Sequence, residues 1–183
     1  MKNDNEEFAE MTKFAETTVG LARTTKQILC DAERGPMDNP PMLVWHTEDD
    51  VHLLGLPTPD NTFPAYEVLA SALSGAFTEF GVPRFVSVIV EAYATQVRNE
   101  NEADDIQRGD LQKKFQKCDP NVVEVISVVT FDMGGKMVTD MLYYGYDDAG
   151  QPVFDEVIHD DDPTSGGLII DVIESFRSFV RAE

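Results

Sequence analysis

Two histidines flank three acidic residues in the run His46-Thr47-Glu48-Asp49-Asp50-Val51-His52. Imidazole nitrogens beside carboxylates are the donor set of a divalent transition metal. If Glu48, Asp49 and Asp50 form a three-residue turn, the flanking strands bring His46 and His52 opposite one another on one side of a hairpin. The third histidine, His159, precedes Asp160-Asp161-Asp162 and can join from a distant loop. His46, His52, His159 and Asp160 are therefore the candidate metal ligands, and a metal-dependent hydrolase is the chemistry they would support. The same acidic loop offers oxygen ligands to Ca²⁺ or Mg²⁺, but it lacks the glycine and closing glutamate of an EF-hand. An HExxH helix is absent.

A second pair of groups lies on predicted strands. Glu91 follows the apolar run Phe85-Val86-Ser87-Val88-Ile89-Val90, and Glu124 stands two residues into the next strand. Paired carboxylates do acid–base work when their surroundings push their pKa values apart. The plainer reading has each pointing to solvent or bonding Arg84 or Arg98. Asp132-Met133-Gly134-Gly135-Lys136 is a turn between strands and not a phosphate loop, since GxxxxGK[ST] spacing and a following helix are missing. No GxSxG elbow occurs. The residues assemble no catalytic set and require no cofactor.

The elements that would position these groups read as follows. Residues 6–33 form a helix with a thin stripe of Phe8, Met11, Ala15, Val19, Ala22, Ile28 and Leu29, interrupted by threonines. Gly35-Pro36 ends it. Met42 to Leu56 is a hairpin. Residues 63–80 form a helix whose apolar face comprises Tyr66, Leu69, Ala70, Leu73, Ala76, Phe77 and Phe80, with Gly81 at its C-terminal boundary. Arg84 to Val97 is a long strand buried on both faces for half its length. Asp110 to Lys117 is a short helix holding the basic cluster Lys113, Lys114 and Lys117. Strands over Asn121 to Asp132 and Lys136 to Tyr146 form a second hairpin, and a short strand spans Pro152 to Val157. Ser165 caps a last helix carrying Leu168, Ile169, Val172, Ile173, Phe176 and Val180. Strands in runs joined by tight turns predict an α+β fold. The expected sheet is largely antiparallel, with about five strands (two hairpins plus a long central strand) and helices packed on one face. Residues 1–35 are read as a helix serving as an interaction arm, and residues 36–183 as a single α+β domain.

Charge narrows the partners. Lys and Arg number 14 against 34 Asp and Glu, giving a formal net charge of -20. Between Lys136 and Arg177 there is no lysine or arginine, while ten carboxylates occur. Such a surface repels phosphate backbones and anionic membranes, which excludes direct nucleic-acid binding and membrane association. Three readings of the acidity remain: solubility, a salt-rich habitat, or mimicry of nucleic acid that captures a basic protein. No apolar run is long enough to span a bilayer, and Met1 to Glu10 lacks the pattern of a signal peptide. Cys30 and Cys118 form no CxxC and read as cytosolic thiols.

Phe85 to Tyr93, followed after a polar gap by Asp119-Pro120-Asn121-Val122-Val123-Glu124-Val125-Ile126, resembles small uncharacterised proteins of bacteria and their phages. In these a strand ending Glu-Ala-aromatic precedes a proline turn, a glutamate-bearing strand and a hairpin like Asp132 to Tyr146. The resemblance implies the α+β fold and no catalytic role. The functional expectation is a cytoplasmic, non-enzymatic protein that binds another protein or itself. Its partner surface is expected at Asp147, Asp148, Asp155, Glu156, Asp160, Asp161 and Asp162. A nucleic-acid mimic that inhibits a DNA-binding protein, in the manner of phage counter-defence, and the His46/His52 hydrolase are the alternatives.

Overall fold

In a computed structural model the residues described are 4–33, 38–58, 66–95, 122–161 and 168–182. They form helices α1 (Asp4–Glu33), α2 (Tyr66–Phe80) and α3 (Leu168–Val180) and six strands. The strands are β1 (Met42–His46), β2 (Val51–Gly55), β3 (Phe85–Thr95), β4 (Val122–Phe131), β5 (Met137–Tyr146) and β6 (Pro152–Asp160). They make one sheet in the order β2-β1-β3-β4-β5-β6, every neighbouring pair antiparallel. The α+β class is as the sequence predicts. The sheet has six strands where about five were expected, because the last segment pairs with β5 as far as Asp160.

Helices cover both faces of the sheet, not one. Trp45, Val86, Val88, Val90, Val129 and Phe131 face α2 and α3, where Leu69, Leu73, Val172, Ile173 and Phe176 meet them. Met42, Val44, Ile89, Ile126, Val128 and Leu142 face α1, which supplies Val19 and Ala22. The unbroken burial of Phe85 to Val90 follows, since successive residues alternate between two cores. Each fully buried Leu, Ile or Phe contributes about 2 kcal/mol of transfer free energy.

The helix read as an interaction arm therefore lies on the sheet, with Met11, Ala15, Ala22, Lys26 and Cys30 fully buried. Its stripe continues through Lys26 and Cys30, not Ile28, which is 61% exposed. The threonines do not interrupt it. Thr12, Thr17, Thr18 and Thr24 each return a hydroxyl hydrogen bond to the carbonyl four residues back, which satisfies them within the helix. Thr18 also meets the buried pair Ser87 and Thr130, whose hydroxyls lie 2.6 Å apart.

Turns fix the strand order. Asp132 Oδ1 accepts the N–H groups of Gly135 and Lys136 at 2.8 Å. Gly135 adopts φ +117°, open to glycine and disfavoured for side-chain-bearing residues. Arg177, on α3, grips the same turn: Nε donates to the Asp132 carbonyl at 2.9 Å and Nη2 to the Lys136 carbonyl at 2.6 Å. Asp147 builds the β5–β6 turn, its Oδ1 accepting the N–H groups of Ala149 and Gln151 at 2.9 Å. Beyond it the β5–β6 register shifts: Leu142 pairs with Val157 and Tyr144 with Phe154, so two β6 residues, Asp155 and Glu156, oppose Tyr143. This is a β-bulge on the outermost strand. The expected helix over Asp110 to Lys117, the Lys113, Lys114 and Lys117 cluster, the Ser165 cap and Cys118 lie outside the described residues.

Candidate functional site

The hairpin register separates the two histidines. His46 pairs with Val51 and His52 with Trp45. The connection is four residues long, Thr47 to Asp50, and Thr47 closes it by accepting the Asp50 N–H on its Oγ1 at 3.0 Å. One residue more than the expected turn moves the second strand's side chains to the other face. His46 thus faces α1, its ring against Phe14 at 5.0 Å and Phe85 at 5.6 Å, which lie 5.9 Å from one another. His52 stacks on Phe80 of α2 at 3.9 Å, on the opposite side of the sheet. The His46/His52 metal site and the hydrolase built on it are therefore not formed.

His159 does not sit in a loop. It lies in β6, with Nδ1 2.7 Å from Oδ1 of the buried Asp140 on β5. Asp160 is exposed, also within β6, and Asp161 follows it. Four strand steps separate β6 from β1, roughly 19 Å at the usual strand spacing, so His159 cannot join His46. Among the described residues, no group of three or more His, Cys, Asp or Glu is placed to hold a metal ion. Asp148 is exposed in the β5–β6 turn, and Asp162 lies outside the described residues.

Glu91 has the most organised polar surroundings on the α1 face. Its carboxylate accepts Lys26 Nζ at 2.9 and 3.1 Å, the Asn39 backbone N–H at 2.6 Å, and the Tyr144 hydroxyl. Lys26 Nζ also donates to the Tyr144 hydroxyl at 3.1 Å and lies 4.5 Å from the centroid of that ring. Asn39 Nδ2 closes the cluster by donating to the Ala22 carbonyl of α1 at 3.1 Å. Burial pushes the Glu91 carboxyl above the ordinary carboxylate range, against the pull of Tyr144, Asn39 and Lys26. Burial alone would lower Lys26, but its bonds to Tyr146 and Glu91 and their charges hold it above the ordinary lysine value. Burial also raises Tyr144 and Tyr146, the charge of Glu91 adding to both.

Glu124 shares this face, opposite Tyr93 on β3 while Glu91 is opposite Ile126. The two glutamates are diagonal neighbours, yet it is Lys26 that partners Glu91, and Arg84 pairs with Glu10. Lysine, glutamate and tyrosine are residue types that move protons in active sites. Here the Lys26 side chain is fully buried and that of Glu91 is 9% exposed. Lys26 of α1 spends its hydrogen bonds on Glu91 of β3 and Tyr144 of β5, and Glu91 also accepts from Asn39 and Tyr144, so the cluster ties the helix to the sheet. Its sequence signal is a lysine at i+4 from Ala22 and i−4 from Cys30, on the apolar stripe.

The open site lies on the other face. α2 and α3 cover the Val129–Phe131 end of β4 and the strands beyond it. No described helix reaches the opposite end, where Val123, Val153 and Ile158 are 42%, 53% and 51% exposed. There Val123, Tyr143 and Ile158 line a hollow of about 500 Å³, edged by Asp155 and Glu156 at the bulge. Asp155 and Glu156 are among the acids expected at a partner surface; Tyr143 and Val123 were not foreseen, because a bulge leaves no mark in strand periodicity. A wider recess of about 1030 Å³ at the β1–β2 turn is lined by Glu7, Glu48, Asp49 and Arg84 among others.

Compared with known proteins, the chain matches no family model, no curated protein and no solved structure. Among the described residues, no helix is long and apolar enough to cross a membrane.

Proposed function

We propose that this protein works as a non-catalytic binder of another protein, through the sheet face at the β4–β6 end that no described helix covers. The observation that carries the reading is the exposed apolar set Val123, Val153 and Ile158 beside Asp155 and Glu156. Contiguous exposed apolar surface with a polar rim is the anatomy of a protein-interaction site. The net charge of -20 selects a basic partner and speeds its encounter. The His46, His52 and Glu91 side chains, by contrast, are engaged in contacts within the fold.

Photo-crosslinking tests this. A benzophenone amino acid replaces Val123 or Ile158 in one set, and the exposed Ile28 or Leu53 in another. Each protein is irradiated in lysate of the source cells at low and at high salt. The expected result is a discrete protein adduct from positions 123 and 158 alone, diminished by salt. Equal adducts from all four positions, or none from 123 and 158, would overturn the reading.

A further inference from the structure

The hollow beside the bulge has a composition that selects among partners, an inference that rests on the binding role above. Its lining is apolar at Val123 and Ile158, aromatic at Tyr143 and anionic at Asp155 and Glu156. An apolar body is accommodated by the first two residues. A positive charge is favoured by the carboxylates and by the negative face of the tyrosine ring. A planar cation suits the ring better than a spherical one, because a guanidinium stacks on an aromatic face while still bonding a carboxylate in a fork. The bulge brings these groups together, since it sets two acidic residues opposite the one tyrosine. Among the described residues the Tyr143 hydroxyl makes a single contact, at 3.9 Å to the Met141 sulfur, and the residue is partly exposed.

We infer that this hollow seats an arginine side chain of the partner protein, stacked on Tyr143 and held by Asp155 and Glu156. The occupant is a segment of a basic protein and not a second copy of this chain. Two surfaces of net charge -20 repel, and each β6 presents the same exposed carboxylates to its twin. No segment between Lys136 and Arg177 could offer the arginine.

The probe is the peptide acetyl-Val-Arg-Val-Arg-Val-amide, titrated into the ¹⁵N-labelled full chain and followed by amide chemical shifts. Copies with lysine or citrulline in place of arginine, and free acetyl-argininamide, serve as the other arms. The expected result is shifts centred on residues 142–144 and 154–158, with the citrulline copy at least about fivefold weaker. Tyr143→Leu should weaken the arginine peptide by about fivefold and leave distant amides unmoved. Asp155→Asn with Glu156→Gln should remove most of its salt dependence. Equal affinity for the citrulline or lysine copy, undiminished binding to Tyr143→Leu, or shifts centred elsewhere would overturn the assignment. So would free acetyl-argininamide binding as tightly as the peptide, since the ligand would then be a small cation. Dimerisation through β6 in sedimentation would replace the arginine by a second copy. Crosslinking at positions 123 and 158 tests the broader binding role separately, whichever way these titrations fall.

Discussion

Lys26 and Glu91 meet nitrogen to oxygen at 2.9 Å although 65 residues separate them in the chain. The contact joins the last quarter of α1 to the middle of β3, inside the layer between helix and sheet. Taking one partner away strands the other charge in the interior. Lys26→Met should therefore destabilise the protein by about 3–5 kcal/mol. Removing the whole polar set is different, because no ion is then left uncompensated. The triple variant Lys26→Met, Glu91→Leu, Tyr144→Phe should cost less than Lys26→Met alone, with the freed Asn39 N–H accounting for about 1–3 kcal/mol. Urea unfolding of the two variants decides it, and a triple variant less stable than the single one would contradict this account.

The same cluster makes the fold sensitive to alkali. Lys26, Tyr144 and Tyr146 all have pKa values raised in the folded state. A raised value means that the native form holds its proton more tightly than the unfolded chain does. The associated stability is complete below the unfolded values and is lost as pH rises through the folded ones. The window opens near the ordinary tyrosine and lysine values, about 10 to 10.5, and extends upward. Tyr144→Phe combined with Tyr146→Phe should flatten the fall in melting temperature above pH 10. A fall as steep as in the parent protein would place the alkaline weakness elsewhere.

His46 has the opposite sign. Burial lowers its pKa below the ordinary histidine value, and its Nδ1 is buried without a hydrogen-bond partner. A lowered value contributes stability above pH 6.5 that is lost as pH falls through the folded value. Phenylalanine fits the aromatic stack and carries no proton. His46→Phe should raise stability by about 1 kcal/mol and make it less dependent on pH below 6.5. A variant that unfolds in acid along the same curve as the parent would show that His46 does not govern that limb.

Arg177 carries the attachment of α3. It is 2% exposed, bonds the Asp132 and Lys136 carbonyls and Glu174, and lies over the Phe131 ring. Arg177→Met keeps the stem and deletes the guanidinium. The two freed carbonyls should lower stability by about 2–4 kcal/mol. Faster hydrogen exchange at the Gly135 and Lys136 amides should accompany the loss. Unchanged exchange there would mean that Asp132 holds the turn unaided.

Much of the fold is legible in the residue order, and the reasons differ by element. α2 shows itself because Leu69, Leu73 and Ala76 recur at helical spacing and Gly81 follows, its φ of +80° and its N–H bond to Phe77 closing the helix. β3 to β5 show themselves through β-branched runs and the Gly134-Gly135 turn. The candidate site was less accessible. Whether His46 and His52 share a face depends on one residue of turn length, which composition does not determine. Lys26 is hard to recognise because a lysine on a helix is ordinarily solvated, and its burial follows only once Glu91 is known to sit beneath it. Ending the last strand at Val157 missed its ladder partners in β5, so His159 looked like a loop residue. The Tyr143 hollow depends on a register shift between strands, a property of pairing and not of either strand alone.

The bulge at Asp155 and Glu156 has one more consequence. A flat, continuous outer strand is a template on which further chains can stack into fibrils. Here the ladder of β6 is broken midway and flanked by like charges, so a misfolded neighbour finds no uninterrupted rail along that edge. The β6 edge is thereby poorly matched to strand addition by a second copy.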